Sequence, residues 1–72
     1  MKKLVVITGA SSGIGSEMAI KFSGEGHPLL LLARRKEKME ALGLKNCICE
    51  GVDILNIESY KKAIAKAVDK YG

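Results

Sequence analysis

Apolar residues fall along this chain in two patterns: unbroken runs, and recurrences at intervals of three and four. Leu4-Val5-Val6-Ile7-Thr8 is a continuous aliphatic and β-branched run closed by Gly9, the pattern of a strand covered on both faces, as in parallel sheets. After the segment Gly9 to Gly15, the residues Ile14, Met18 and Phe22 recur every fourth position with Ala19 beside them. That spacing predicts a helix with one apolar stripe, stopping near Gly24 and Gly26. Pro28 then opens Leu29-Leu30-Leu31-Leu32-Ala33, a second fully buried strand in which proline is tolerated at the first position. Leucine is an ordinary helix former, so this assignment rests on the length of the run and its flanks.

Lys36 to Leu42 reads as a short polar helix with Met39 and Leu42 inward, closed by Gly43. Asn46 to Val52, with Cys47, Ile48, Cys49 and Val52, reads as a third strand that is apolar on both faces. Asn56 can cap the last helix, with Glu58 placed favourably for the helix dipole. Ile57, Tyr60, Ile64, Ala67, Val68 and Tyr71 follow at a spacing that fits 3.6 and not 2, a helix of about four turns. The resulting order is βαβαβα with short connections. It predicts parallel strands joined by right-handed crossovers, one domain and no internal linker.

Composition narrows the class. The 72 residues allow one small domain, and 47% hydrophobic with 28% charged residues excludes a disordered tail or a low-complexity linker. The longest apolar run is five residues, Leu29 to Ala33, against about 20 for a membrane span. Lys2 and Lys3 precede an apolar stretch too short for an export signal, so the chain reads as cytoplasmic with no membrane partner. Cys47 and Cys49, two apart on a strand, sit roughly 7 Å apart at Cα, too far for an ordinary disulfide. They read as reduced packing residues, and with no second cysteine or histidine pair no metal site is assigned. Twelve basic and eight acidic residues give a net charge of +4, with three aromatics in all. Spread over several segments, that excess makes no stacking platform for single-stranded nucleic acid; a small phosphate-bearing ligand fits better.

The chemistry concentrates in Thr8-Gly9-Ala10-Ser11-Ser12-Gly13-Ile14-Gly15, between the first strand and first helix. A strand end, a backbone without Cβ obstruction and the unpaired N–H groups of a helix start together aim at an anion. Two other motifs fail on counting. A Walker A loop beginning at Gly9 needs Gly-Lys where Ile14 and Gly15 stand, and G-x-G-x-x-G beginning at Gly13 needs glycine at Met18.

The spacing present, T-G-x-x-x-G-I-G, resembles that of the short-chain dehydrogenase/reductase family in its main subfamily. The resemblance continues through Ala33-Arg34-Arg35, Val52-Asp53-Ile54 and Lys70-Tyr71-Gly72. It implies a Rossmann-type doubly wound parallel sheet of the α/β class, of which residues 1–72 are the amino-terminal βαβαβα half of an NAD(P)-binding domain. The catalytic half is absent from it. It further implies that Gly9 and Gly13 let the backbone approach the dinucleotide, and that Ser11, Ser12 and Ile14 contact its phosphates and ribose. Gly15 would permit close helix packing, Asp53 and Ile54 would contact the adenine, and Thr8 would tie the turn to a later strand.

Counting about 20 residues past the glycines selects the dinucleotide, because an acid there takes the ribose hydroxyls of NAD and an arginine suits the 2′-phosphate of NADP. The count lands on Ala33, Arg34 and Arg35. Arg34 is the expected specificity residue and Arg35 its support, by bonding or by stacking on adenine, so NADP(H) is expected over NAD(H). The competing reading, a solvated charge run from Arg34 to Lys38, puts cations at a helix start, where the dipole disfavours them unless an anion is near.

The family's hydride transfer uses a serine, a Tyr-x-x-x-Lys pair and an asparagine. Tyr60 plus four is Ile64, and Tyr71 plus four lies past Gly72, so no catalytic residue is assigned and His27 reads as a surface residue. The parent is expected to be an NADP-dependent oxidoreductase acting on a carbonyl or alcohol, homo-oligomeric, continuing past Gly72 into a fourth strand; the 72 residues by themselves are expected to be inactive. The alternative is a noncatalytic nucleotide-binding or redox-sensing module. In the doubly wound order 3-2-1-4-5-6 the first strand is central, but within these residues Leu4 to Ile7 form an unprotected apolar edge. The isolated segment is therefore expected to be marginal or aggregation-prone unless further chain or a partner covers that edge. Thermal denaturation with sedimentation tests this: a cooperative melt of a monomeric 72-residue segment would contradict it.

Overall fold

The five-residue run of leucines and Ala33 becomes the middle of the molecule. The computed structural model describes residues 2–10, 12–53 and 55–72. In it β1 (Val5–Thr8), β2 (Leu29–Ala33) and β3 (Cys47–Gly51) form a parallel sheet in the order β1-β2-β3. Helices α1 (Gly13–Gly24), α2 (Lys36–Glu40) and α3 (Ile57–Tyr71) alternate with the strands. Val5 pairs with Leu29 and Leu29 with Cys47, while at the other end Thr8 pairs with Leu32 and Ala33 with Gly51. Every residue of β2 is buried, as a strand with neighbours on both edges and helices on both faces requires.

Alternation along the strands divides the core in two. Ile7, Leu29, Leu31 and Ala33 pack with Ala10, Ala19 and Met39 beneath α1 and α2. Leu30, Leu32, Ile48 and Val52 pack on the other face with Ala63 and Ala67 of α3. The last helix thus crosses to the opposite side of the sheet, as the doubly wound pattern predicts.

Element bounds follow the sequence pattern closely, with β1 and β3 a residue or so shorter than their apolar runs and α2 ending at Glu40. Leu42 and Gly43 continue α2 as a turn, their N–H groups donating to the Met39 and Glu40 carbonyls at 3.1 Å. Gly43 takes φ +63° there, a conformation glycine enters at little cost. Asn56 caps α3 as expected, its side-chain oxygen accepting from the Ser59 N–H at 3.2 Å. His27 closes the amino-terminal end of the sheet, its Nδ1 2.9 Å from the Lys3 carbonyl and its ring edge-on to Phe22.

Two helix faces differ from the expected stripes. In α1, Gly15 and Ala19 are buried with Phe22 packed beside them, while Ile14 is 77% and Met18 44% exposed. Gly15 rests on the backbone of Gly9 and Ala10, and that contact fixes the helix's rotation, turning Ile14 and Met18 toward the outer edge of β1. In α3, Tyr60, Ala63, Ala67 and Tyr71 face the sheet, and Ile57, Ile64 and Val68 are exposed. Alanine lets the helix approach the tall leucines of β2, whereas a stripe led by isoleucine and valine would hold it away.

The division between core and outer faces has a measurable consequence. Leu31→Ala, which empties a fully buried position, is expected to cost about 2–5 kcal/mol. Ile20→Ala, on the outward face of α1, is expected to stay within about 1 kcal/mol. Urea denaturation of both variants checks the assignment, and equal losses would contradict it.

Candidate functional site

The carboxyl ends of the three strands deliver Gly9, Arg34 and Asp53 to one end of the sheet, the end at which open α/β sheets bind ligands. Gly9 leaves β1 at φ +68°. Its N–H donates to the Leu32 carbonyl at 2.8 Å, holding the turn to the end of β2. The Ser12 hydroxyl donates to the Gly9 carbonyl at 2.7 Å and accepts from the Gly15 N–H at 3.4 Å, so Ser12 folds the turn and caps α1 at once. Gly9 and Ser12, both expected at the dinucleotide, therefore also shape the loop.

The three glycines of the turn serve different purposes. A Cβ on Gly15 would collide with the Gly9 carbonyl oxygen and come within 2.9 Å of the Ala10 Cα; this glycine is demanded by helix seating. Gly9 is demanded by its left-handed backbone. A Cβ on Gly13 would meet nothing within 4 Å. The chain's own packing does not require glycine there, and what its absent side chain leaves clear is the approach to the first turn of a twelve-residue helix.

A cavity of about 400 Å³ opens over the strand ends. Gly9 stands on one side, Arg34, Arg35 and Lys38 on the other, and Leu32, Ala33, Val52 and Tyr60 supply apolar surface. A second depression, of about 470 Å³, runs along the open side of β1 past Ser12, Ile14, Gly15 and Met18, and Thr8 and Gly9 border both. The two join at the glycine turn. Among the described residues the one ion pair is Lys66 with Glu50, at 3.3 Å and away from the cavity. Arg34 and Arg35 are exposed and hold no carboxylate, so the rim presents guanidinium groups with their bidentate donors free for an anion.

Of the residues singled out from the sequence, Gly9, Arg34 and Arg35 share the cavity over the strand ends, and Ser12, Ile14 and Gly15 border the adjoining depression. Gly13 opens α1 beside them. Ser11 and Ile54 lie outside the described residues. Asp53 stands at the third strand end but is turned to local work, its carboxylate accepting from the Leu55 N–H at 2.9 Å. Lys38 and Tyr60 line the cavity without having been singled out. Lys38 stands on the short helix that begins directly after Arg34 and Arg35, and that adjacency is its signal in the sequence. Tyr60 was absorbed into the apolar stripe of α3, and only its place in that helix's first turn, next to the third strand end, marks it.

Comparison with known proteins gives a consistent result. A family model described as short chain dehydrogenase matches residues 3–72. The chain is 38% identical over 77 residues to an 11-beta-hydroxysteroid dehydrogenase of Pinus massoniana, covering 97% of this chain and 22% of that protein. It is 38% identical over 76 residues to an uncharacterized oxidoreductase of Listeria innocua, covering 97% and 31%. Among solved structures, an alcohol dehydrogenase from Thermococcus sibiricus complexed with 5-hydroxy-NADP superposes with a TM-score of 0.85 at 30% identity, over 100% of this chain and 33% of that one. A short chain dehydrogenase from Bacillus anthracis gives 0.85 at 31% identity, over 99% and 32%. The chain thus spans a fifth to a third of the length of such relatives.

The distinct duties of Gly13 and Gly15 are separable by substitution. Gly15→Ala is expected to destabilise the fold by about 1–3 kcal/mol, since backbone must move to admit the methyl group. Gly13→Ala is expected to leave stability unchanged or raised by up to about 1 kcal/mol, while weakening a dinucleotide that uses the open approach. Paired denaturation curves decide the point, and an equal loss in the two variants would contradict it.

Proposed function

The chain belongs to the short-chain dehydrogenase/reductase family, and from that premise we propose that it is the amino-terminal, coenzyme-binding half of the Rossmann domain of an NADP(H)-dependent oxidoreductase. Its substrate is a carbonyl compound or the corresponding alcohol. The relatives are named as dehydrogenases and oxidoreductases, which favours this reading over a noncatalytic nucleotide-binding module. β1, an edge of the sheet as described, is then the strand beside which the remaining half of the domain adds its own.

The residues present fit such a coenzyme. When bound, the coenzyme supplies or accepts the hydride, and the chain's own residues bind and orient it. The Gly9 backbone and the first-turn N–H groups of α1, set by Ser12 and cleared by Gly13, hold the pyrophosphate. Ser11 and Ile14 add contacts to phosphate and ribose. Val52 and Tyr60 form an apolar wall for the adenine, and Asp53 and Ile54 are the further residues assigned to contact it. Arg34 takes the 2′-phosphate through paired N–H donors, and Arg35 supports it from the same rim.

One observation carries the choice of NADP(H): Arg34 and Arg35 stand free of carboxylates at the rim facing the glycine turn, where an NAD site places an acid. The bound nucleotide of the Thermococcus sibiricus neighbour, a 5-hydroxy-NADP, agrees with it.

Arg34→Asp removes the phosphate's partner and adds a carboxylate that repels it. In the full-length protein, the ratio of NADPH to NADH affinity, read by fluorescence titration, is expected to fall by tenfold or more. An unchanged ratio would refute the assignment.

A further inference from the structure

Cys47 and Cys49 take no part in the coenzyme cavity. Two residues apart on β3, they project to the same face of the sheet, with their sulfurs 3.7 Å apart and both thiols free. They border a depression of about 270 Å³ shared with Met39, Glu40, Gly43 and Leu44, which has no lining residue in common with the coenzyme cavity. Met39 is buried against this side of the sheet, and both cysteines pack on the same cluster.

The spacing suits a bridging atom better than a disulfide. Consecutive same-face residues of a strand lie roughly 7 Å apart at Cα, at the limit of what a disulfide spans. Two bonds of about 2.3 Å, the usual length to a thiolate-bound zinc, meet across 3.7 Å at an angle of roughly 107°. That is the geometry of a tetrahedral or pyramidal centre; a linear one would force the sulfurs apart. Among the described residues no group of three or more His, Cys, Asp or Glu side chains could hold a metal ion. The bridging atom must therefore need only two protein ligands and bring its remaining substituent with it.

Charge narrows the choice. Burial, followed by repulsion from Cys49, pushes the Cys47 thiol up to about 12, and burial also raises Cys49. Both are held as neutral thiols, in surroundings that favour an uncharged product. Trivalent arsenic bearing one organic group meets these conditions. It is pyramidal, thiophilic and neutral once joined to two sulfurs.

We propose that Cys47 and Cys49 form a preorganised dithiol clamp for monosubstituted trivalent arsenicals, seated between β3 and α2. With an arsine oxide R–As=O, two As–S bonds form, the two S–H protons leave with the arsenic-bound oxygen as one water, and arsenic stays trivalent. No oxidant or reductant is consumed. Met39 and Leu44 give the organic substituent an apolar surface.

Phenylarsine oxide is the probe, with intact mass and peptide mapping of the full-length protein as the readout. The expected result is an adduct of the reagent less one water, on the peptide containing both cysteines. It should survive excess 2-mercaptoethanol, be removed by 2,3-dimercaptopropanol, and be lost in Cys47→Ser and in Cys49→Ser. Retention in either variant, or removal by the monothiol, would overturn the proposal. If the variants do not fold, affinity of the unaltered protein is compared with that of a synthetic peptide spanning residues 46–52. The clamp requires the folded protein to bind about tenfold or more tightly, because the flexible peptide must order its side chains on binding; equal affinities would overturn it.

Discussion

The seating of α1 on the Gly9–Ala10 backbone governs the rest of the molecule. With no Cβ at Gly15, the start of the helix descends onto the end of β1 until backbone meets backbone. Ser12 locks this arrangement by bonding both the turn and the helix. The rotation of α1 is then no longer free: Ala19 and Phe22 turn to the sheet and Ile14 and Met18 turn away. The same turn bonds across to Leu32, so the register of β1 on β2 and the aim of the first-turn amides share one origin. A side chain at position 15 would disturb the sheet, the helix and the aim of its first-turn amides together.

The kinds of element were legible in the chain because each rests on a local rule. Five consecutive apolar residues between a proline and an arginine pair are too few for a core helix, and they form the buried central strand. Asn56 caps because its side chain reaches an amide three residues on. The facing of the helices was less legible, for a physical reason. Periodicity weighs residues by hydrophobicity, whereas close packing of a helix on leucine-rich strands selects by size. Gly15, Ala19, Ala63 and Ala67 are the buried positions of α1 and α3, with Phe22, Tyr60 and Tyr71 packed partly buried beside them, and Ile14, Ile57 and Val68 lie outside.

The site divides along the same line. The glycine turn and the arginine pair could be found by counting, since backbone freedom and charge at fixed offsets are properties of sequence. Tyr60 could not, because periodicity assigned it to packing, and it does pack while also lining the cavity. Nor did spacing reveal that the Asp53 carboxylate is engaged by the Leu55 amide. Side-chain competition of this kind arises in the fold and leaves no trace in the order of residues.

The two ends of the sheet are satisfied to different degrees. At the amino-terminal end His27 closes on Phe22 and on the Lys3 carbonyl. At the carboxyl end Arg34, Arg35 and Lys38 gather around an apolar floor without a carboxylate among them, and neighbouring like charges oppose folding. The Lys66–Glu50 pair is solvent-exposed and too weak to compensate. A bound dianionic phosphate would offset most of the charge of that rim and bind only the folded chain, so it would add stability through mass action. On the proposed function, coenzyme recognition and stability would thereby be linked. The segment is least satisfied at the rim proposed to hold the coenzyme phosphate, and a chain with so small a core would have the most to gain there from such a ligand.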